Sequence, residues 1–439
     1  MPALPHFWIV SDWFEKKIVC RVALDGFPAN DSVGKEITVT ASPQADSPHT
    51  EPQDAFADAF GEPIRQVLDL NTWNEGTDLA SLYPALQRMV TESVEQERRV
   101  RNPIRQQVFP RIRHGKSTVT PQSAGVYQVD PKQIELVHRG LLFNGATECC
   151  DGNVIGHNSL VLSVYQIGMA LVRYQGSSGT WVHQLYRRDM YAHMEDPVEE
   201  TLALLRKRDK REPDNAESPR DPFTRLVRRA LMDWGERAIL TRVSKALWRM
   251  GHGNPVNYNL LLPTVEALVR DSTDVLRELI LGHKRFLFVD SEPSDRALLT
   301  IGNALHPLEF AVVSTLEDQL SGQMSNIADS QWGHKTALKL IQDCVREIRT
   351  EIVIGVFRAS EYAPARVFYA HKDFACEAAT IALADSVLQP HRGFPMLIDL
   401  ADIVCGNTFD SGTLMGTIHN AYAAAGEPLR YLGERETRS

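Results

Sequence analysis

No run in this 439-residue chain approaches the ~20 consecutive apolar residues of a membrane-spanning helix, so no membrane association is expected. The stretch MPALPHFWIVSDWFEKK at the start has no basic flank before its apolar part and no small-residue cleavage site, so no signal peptide is expected. The six cysteines (Cys20, Cys149, Cys150, Cys344, Cys376, Cys405) form no CxxC pair and have no histidine at zinc-finger spacing. Scattered, unpaired thiols imply a reduced, cytoplasmic protein. There is no Walker A loop and no GxGxxG, which excludes nucleotide binding by those devices. A basic excess is also missing: the net charge of −9 excludes a nonspecific nucleic-acid coat, though not an enzyme with locally clustered basic residues. No internal repeat is present.

What is there is ordinary for a globular protein, with 43% apolar and 23% charged residues. The length allows two or three domains, or one domain with insertions. Residues 5–27 read as one or two strands, 41–63 as a flexible Ser/Pro/Asp/Ala loop, and 79–101 as a helix with Pro84 in its first turn. A basic segment follows, from Arg98 to Lys116, with Arg101, Arg105, Arg111 and Arg113 interleaved with Phe109 and other apolar residues. That interleaving makes it the best candidate for phosphate contacts, although most charge runs are solvated faces. Residues 205–222 are a charged, proline-containing surface insertion. Helices are expected over 223–250 and 263–281, a strand at RFLFVD (285–290), and mostly helix over 294–349. Strands follow at EIVIGVFRAS and ARVFYAH, then a helical tail. Strands mixed with helices in this order indicate an α/β protein. The division expected is an N-terminal part over 1–140 and a main domain over 141–439.

The rest of the chain is organised around residues 146–174, ATECCDGNVIGHNSLVLSVYQIGMALVRY. Here Asp151-Gly152 reads as a turn, followed by paired strands at 160–164 and 167–172 with a QGSSGT connection to a third at WVHQLYRRDMY. An acid at the inner end of a buried strand must be paired, hydrogen-bonded or metal-bound; the ordinary turn role of Asp-Gly is the competing explanation. Asp290, which ends RFLFVD, is a second acid of this kind. Two carboxylates brought together repel, and a divalent cation keeps both ionised; an oxygen-rich site favours Mn²⁺ or Mg²⁺, and such ions can drive phosphodiester hydrolysis. A third acid is expected on the helix before RFLFVD. Counting back along an antiparallel helix by rise per residue places Glu266 and Asp271 near the strand's end, and Glu266 is the preferred choice. Glu236, on the preceding helix, is the runner-up, and the bland role of either is a solvated helix-face glutamate. Near the C-terminus, HRGFPMLIDLADIVC holds a helix started by Pro395, with Asp399 and Asp402 among apolar residues.

Asp-Gly-Asn at 151–153, the strand ending in Asp290, IVIGVFRAS and GFPMLIDLAD together resemble the NurA family of nucleases. The resemblance spans about residues 146–405 as short motifs in a shared order. It implies an RNase H-like mixed sheet core flanked by helices, with helical insertions and an N-terminal extension. It also implies Mn²⁺-favoured (or Mg²⁺-dependent) processing of DNA ends by a homodimer docked on a HerA-like hexameric ATPase, in repair or antiphage defence. The implied catalytic set is Asp151, Glu266, Asp290 and Asp402, with Asp151, Glu266 and Asp290 holding metal, and Arg101, Arg105, Arg111, Arg113 and Arg358 on DNA. Three departures stand out. Asn153 replaces the usual Ser, Asp290 precedes Ser291 where the family has Asp-Gly, and Phe394 takes the place of a Tyr whose hydroxyl is thereby lost. Asp402 stands where the family has His or Asp, and Arg358 where it often has Lys. A catalytically degenerate DNA-binding or assembly subunit is the rival expectation, and a hydrolase unrelated to DNA a third.

Overall fold

The computed structural model describes residues 52–73, 79–113, 120–159, 162–187, 198–199, 202, 225–263, 265–329 and 335–430. The strands expected in 5–27 and the insertion expected at 205–222 therefore lie outside the described residues. Those that are described fall into two compact units that divide between Arg101 and Asn102. The first contains α1 (Pro52–Phe60) and most of α2 (Leu79–Pro103). Part of the expected loop over 41–63 is thus helical from Pro52, and Pro84 lies beyond the first turn of α2.

The second unit runs β1 (Gly125–Gln128), α3 (Pro131–Val137), β2 (Thr147–Asn158), β3 (Ser163–Arg173), β4 (Gly176–Arg187), α4 (Arg225–Ala238), β5 (Trp248–His252), α5 (Glu266–Arg277) and β6 (Phe286–Asp290). It continues through α6 (Arg296–Asn303), β7 (Glu309–Thr315), α7 (Glu317–Asp329), α8 (Lys335–Ile348), β8 (Ile352–Arg358), β9 (Arg366–His371), α9 (Ala375–Ser386), α10 (Met396–Thr408) and α11 (Ser411–Ala424). Nine strands form one sheet in the order β1-β7-β8-β9-β6-β5-β2-β3-β4. The meander β2-β3-β4 is antiparallel, and β5 and β6 extend it in parallel on the other side of β2. This is the RNase H-like core that was expected, extended by the antiparallel strands β9, β8, β7 and β1.

Several local expectations change in the sheet. Asp151-Gly152 is not a turn: β2 continues to Asn158, with Asp151 opposite Ala170 and Gly152 opposite Met169. β3 runs unbroken through Gln166 and Gly168, and QGSSGT is largely strand, since β4 begins at Gly176. The helix expected through Met250 stops at Ala238, with a π turn to Val243, and residues 248–252 form β5. A five-residue strand is too short for its period to be told from helix, and only pairing with β2 and β6 decides. β7 was likewise hidden in a segment expected to be helical; Phe310, Ala311 and Val312 are fully buried because this strand is covered on both faces.

Alternation along the strands sends side chains to two separate cores. Cys149, Met250, Leu287 and Val289 pack with α3, α9 and α10 on one face. Cys150, Phe286 and Phe288 pack with residues of α5, α6 and α8 on the other, where α4 also lies against β2 and β3.

Candidate active site at the end of the central strands

β2 and β5 are parallel, with Cys150 beside Gly251 as their last registered pair. The next residues are Asp151 and His252. Alternation puts them on the same face as Cys149 and Met250, the face that α10 covers. β2 then goes on with β3 alone, so β5 ends beside Asp151 and leaves a notch in the sheet there. An acid and an imidazole thus flank the notch for a purely topological reason.

α4 carries a second buried carboxylate, Glu236. Its residues Gly235 and Glu236 meet the sheet where β2 and β3 present Gly152 and Met169: a methyl group on Gly152 would stand 2.8 Å from Met232 Cγ, 2.9 Å from Glu236 Oε1 and 2.9 Å from Met169 Sδ. The glycine after Asp151 is therefore a point of close approach. Glu236 is 4% and Asp151 7% exposed, so both carboxylates are desolvated. Burial pushes the Asp151 carboxyl up to about 6; the negative charge of Asp402 adds to the rise, while His252, the Gly152 N–H and Arg237 oppose it. The Gly152 N–H donates to Asp151 Oδ1 at 2.9 Å. Glu236 is raised well above the usual carboxylate range, by burial first and by the charges of Asp151 and Asp233, with Arg237 as the chief opposing influence.

Arg237 is itself 1% exposed. Its Nη1 donates to Glu236 Oε2 at 2.5 Å and to the Asp233 carbonyl at 3.2 Å, and lies 3.7 Å from Asp233 Oδ1. Nε and Nη2 donate to the carbonyls of Pro255 and Asn254, at 3.3 and 2.8 Å. Asp233 also accepts from Asn259 Nδ2 at 2.9 Å.

The last member, Asp402, stands on α10, is exposed, and repels the buried thiol of Cys405, one turn further on, as well as Asp151. The sequence pattern suggested partial burial for Asp402; what is buried is the opposite side of α10, at Leu397, Ile398, Ala401 and Cys405. Asp399 bonds helix to loop, pairing with Arg392 at 2.5 Å and accepting from Gln389 Nε2 at 2.6 Å. Phe394 is buried with its ring edge-on to His252 at 6.0 Å, and Arg366 lies 5.5 Å over it. His252 Nε2 shares a hydrogen bond with Ser291 Oγ at 2.8 Å.

The other residues singled out in the sequence lie elsewhere. Asp290 is on β6, with β5 between it and β2, and alternation with Phe286 and Phe288 turns it to the opposite face from Asp151; its Oδ1 accepts from the Glu292 N–H at 3.0 Å. Glu266 is in the first turn of α5, partly exposed, and pairs with Arg270 at 3.1 Å. The helix-rise estimate placed Glu266 at the right height, but the helix lying on β2 is α4, one earlier in the chain. Arg105 forms a two-pronged pair with the buried Glu309 at 2.6 and 3.1 Å, and Arg358 is buried, donating to the carbonyls of Asn303, Leu305, Ser360 and Glu361. Both arginines are engaged in holding the protein together. Arg101 lies 3.6 Å from Glu97 one turn back on α2, whereas Arg111 and Arg113 are exposed, Arg113 stacked on Tyr127. His252 and Arg237 were not singled out. His252-Gly253 could have been found as a polar residue followed by glycine at a strand end, had β5 been recognised.

Arg237 pairs with Glu236 and lies 3.7 Å from Asp233, while Asp402 adds negative charge near Asp151. Oxygen donors with one imidazole suit a hard divalent cation such as Mn²⁺ or Mg²⁺, and Asp402 makes no hydrogen bond or ion pair among the described residues. Among the described residues, however, no group of three or more His, Cys, Asp or Glu side chains is placed to hold a metal ion.

Solved NurA nuclease structures are similar to this chain. The NurA nuclease from Sulfolobus solfataricus has 11% identity and a TM-score of 0.32, covering 78% of this chain and 98% of that one. NurA bound to dAMP and manganese has 8% identity and a TM-score of 0.32, covering 75% and 95%. Endonuclease V of Ciona intestinalis, in complex with a 24mer DNA, has 11% identity and a TM-score of 0.21, covering 63% and 94%. No family model and no curated protein matches the sequence.

Proposed function

We propose that this chain is a divalent-metal-dependent deoxyribonuclease of NurA type. The observation that carries this reading is the group of acids where β5 ends beside Asp151 of β2. Buried Asp151, on the face that α10 covers, is within reach of the charge of exposed Asp402, and buried Glu236, packed on Gly152 on the other face, feels the charge of Asp151. In this reading Asp151 and Asp402 hold a Mn²⁺ or Mg²⁺ ion, which when bound supplies Lewis-acid activation of water and charge neutralisation for phosphodiester hydrolysis. Asp151, fixed by the Gly152 N–H, is the rigid ligand. Asp402, exposed on α10, faces the side from which substrate arrives. His252, with Nε2 engaged by Ser291, has Nδ1 to take or give a proton. Exposed Arg111 and Arg113 guide the DNA backbone. The motif resemblance adds a homodimer and a HerA-like hexameric ATPase as partners.

A second reading is a non-catalytic DNA-binding or assembly subunit of the same complex. It is favoured by the Glu236–Arg237 pair and by the Phe394 ring where a tyrosine hydroxyl would be. Digestion of linear DNA in Mn²⁺ separates the two. The parent is compared with Asp151→Ala and Asp402→Ala, each with and without the ATPase, and folding is checked by circular dichroism. Cutting by the parent that both substitutions abolish supports the nuclease. No cutting under any condition, with no rise in melting temperature on adding Mn²⁺, favours the subunit. Cutting that survives both substitutions means the site lies elsewhere.

A further inference from the structure

The end of the sheet away from His252 and Asp290 holds a cavity of about 570 Å³, within the ~300–1,000 Å³ range of small-molecule sites. It forms where β7 ends at Thr315, where Thr350 leads into β8, and where β9 passes into Lys372 and Asp373; the turn before β1 adds a further wall. Val367 pairs with Asp290 and His371 with Ile352, so β9 runs from the His252 end of the sheet to this one, ~13 Å at about 3.3 Å per residue.

The wall is rich in hydroxyl groups. Thr120, Ser123, Thr315 and Thr350 supply four, and Gln122 adds an amide. Two of the hydroxyls are orphans: Thr315 Oγ1, on a residue 3% exposed, and Ser123 Oγ are buried and have no hydrogen-bond partner among the described residues. A buried hydroxyl without a partner is destabilising, so such atoms are normally satisfied by water or by a ligand. The charges of the wall, by contrast, are already answered. Lys372 Nζ donates to Glu351 Oε1 at 2.7 Å, and Asp373 Oδ2 lies 3.5 Å from Lys284 Nζ. One cation and one anion, each paired, leave no excess to select an ion. Among the described residues no aromatic side chain lines the cavity, so nothing there stacks a nucleobase. What matches is a molecule with no net charge and several hydroxyl groups, each donor and acceptor at once like those of the wall. Water would fill a space of this size one immobilised molecule at a time, whereas a single polyol satisfies several wall groups together.

We infer that this cavity binds an uncharged sugar or polyol of mono- to disaccharide size, held by Thr315, Ser123 and Gln122. The site is separate from the acids around Asp151 and does not depend on what they do.

The test is saturation-transfer NMR and calorimetric titration of the full chain with glucose and with trehalose, beside inorganic phosphate and free glycine as charged counterparts. Saturable one-to-one binding of at least one sugar is expected, and none of phosphate or glycine. Thr315→Val keeps the branched shape and removes only the hydroxyl, and is expected to weaken sugar binding at least about tenfold. Ser123→Ala and Gln122→Ala are expected to weaken it as well, and they decide the matter should Thr315→Val not fold. No saturable binding of either sugar would mean a cavity filled by ordered water and would overturn the inference. Sugar binding that all three substitutions leave unchanged would place the sugar elsewhere and overturn it too. Phosphate or glycine binding that Thr315→Val abolishes would make this an ion site instead.

Discussion

A methyl group on Gly152 would stand 2.9 Å from Glu236 Oε1, so the residue that follows the strand acid sets how closely the helix acid can approach. Gly152→Ala must push α4 outward or turn Glu236 aside. Overpacking of this kind costs about 1–3 kcal/mol. The expected outcome is a lower melting temperature together with weaker Mn²⁺ binding than the parent. An unchanged melt would mean that Met232 and Met169 absorb the added carbon without moving α4.

Asp385, fully buried in α9, caps α10 from a distance: its Oδ2 accepts from the Leu397 N–H at 3.0 Å, while Tyr174 Oη donates to Oδ1. Burial pushes this carboxyl up to about 7, with both donors opposing the rise. A raised folded-state value means that the native protein binds the proton more tightly than the unfolded chain. The associated stability is fully present below the unfolded carboxylate range and is lost as pH rises through about 7; Asp151, at about 6, acts in the same direction. Urea denaturation without metal should therefore show stability falling between about pH 4 and pH 7, with a shallower fall in Asp385→Asn. An equal slope in that variant would show that other groups control the profile.

Cation binding should run the opposite way with pH. The ion competes with the proton on Asp151, so Mn²⁺ affinity is expected to rise as pH increases through about 6 and then level off. Calorimetric titration at several pH values checks this; affinity independent of pH would argue that Asp151 is not a ligand.

The basic segment should separate into two kinds of arginine. Arg105→Ala leaves the carboxylate of Glu309, whose side chain is 2% exposed, without its cation, a loss of about 3–5 kcal/mol seen in the melt. Arg111→Ala and Arg113→Ala should leave the melt within about 0.5 kcal/mol, while each lowers the salt dependence of DNA binding by about one unit of log-log slope. Fluorescence anisotropy against salt concentration reads this. An unchanged slope in both would take the segment away from DNA.

Glu266→Ala removes only a partly exposed pair with Arg270, and the expected loss is below about 1 kcal/mol with Mn²⁺ binding unchanged. Reduced Mn²⁺ binding in that variant would restore Glu266 to the site in place of Glu236.

What the sequence determined by itself was local: apolar runs at 286–290, 352–358 and 366–371, the helix that opens after Pro395, and the acid at 151 inside an apolar stretch. These follow from period and turn chemistry, which act over a few residues. The tertiary structure decided which acids meet. Asp290 ends a strand just as Asp151 stands in one, yet β5 separates them and alternation turns them to opposite faces; a one-residue change of parity is invisible until strands are paired. Glu236 and Glu266 are both helix glutamates by sequence, and only the packing of α4 against Gly152 buries one and leaves the other partly exposed. Arg105 and Arg358 are candidates for DNA contact by sequence but are drawn inward by Glu309 and by backbone carbonyls, because a buried acceptor left without a donor costs more than a solvated arginine gains.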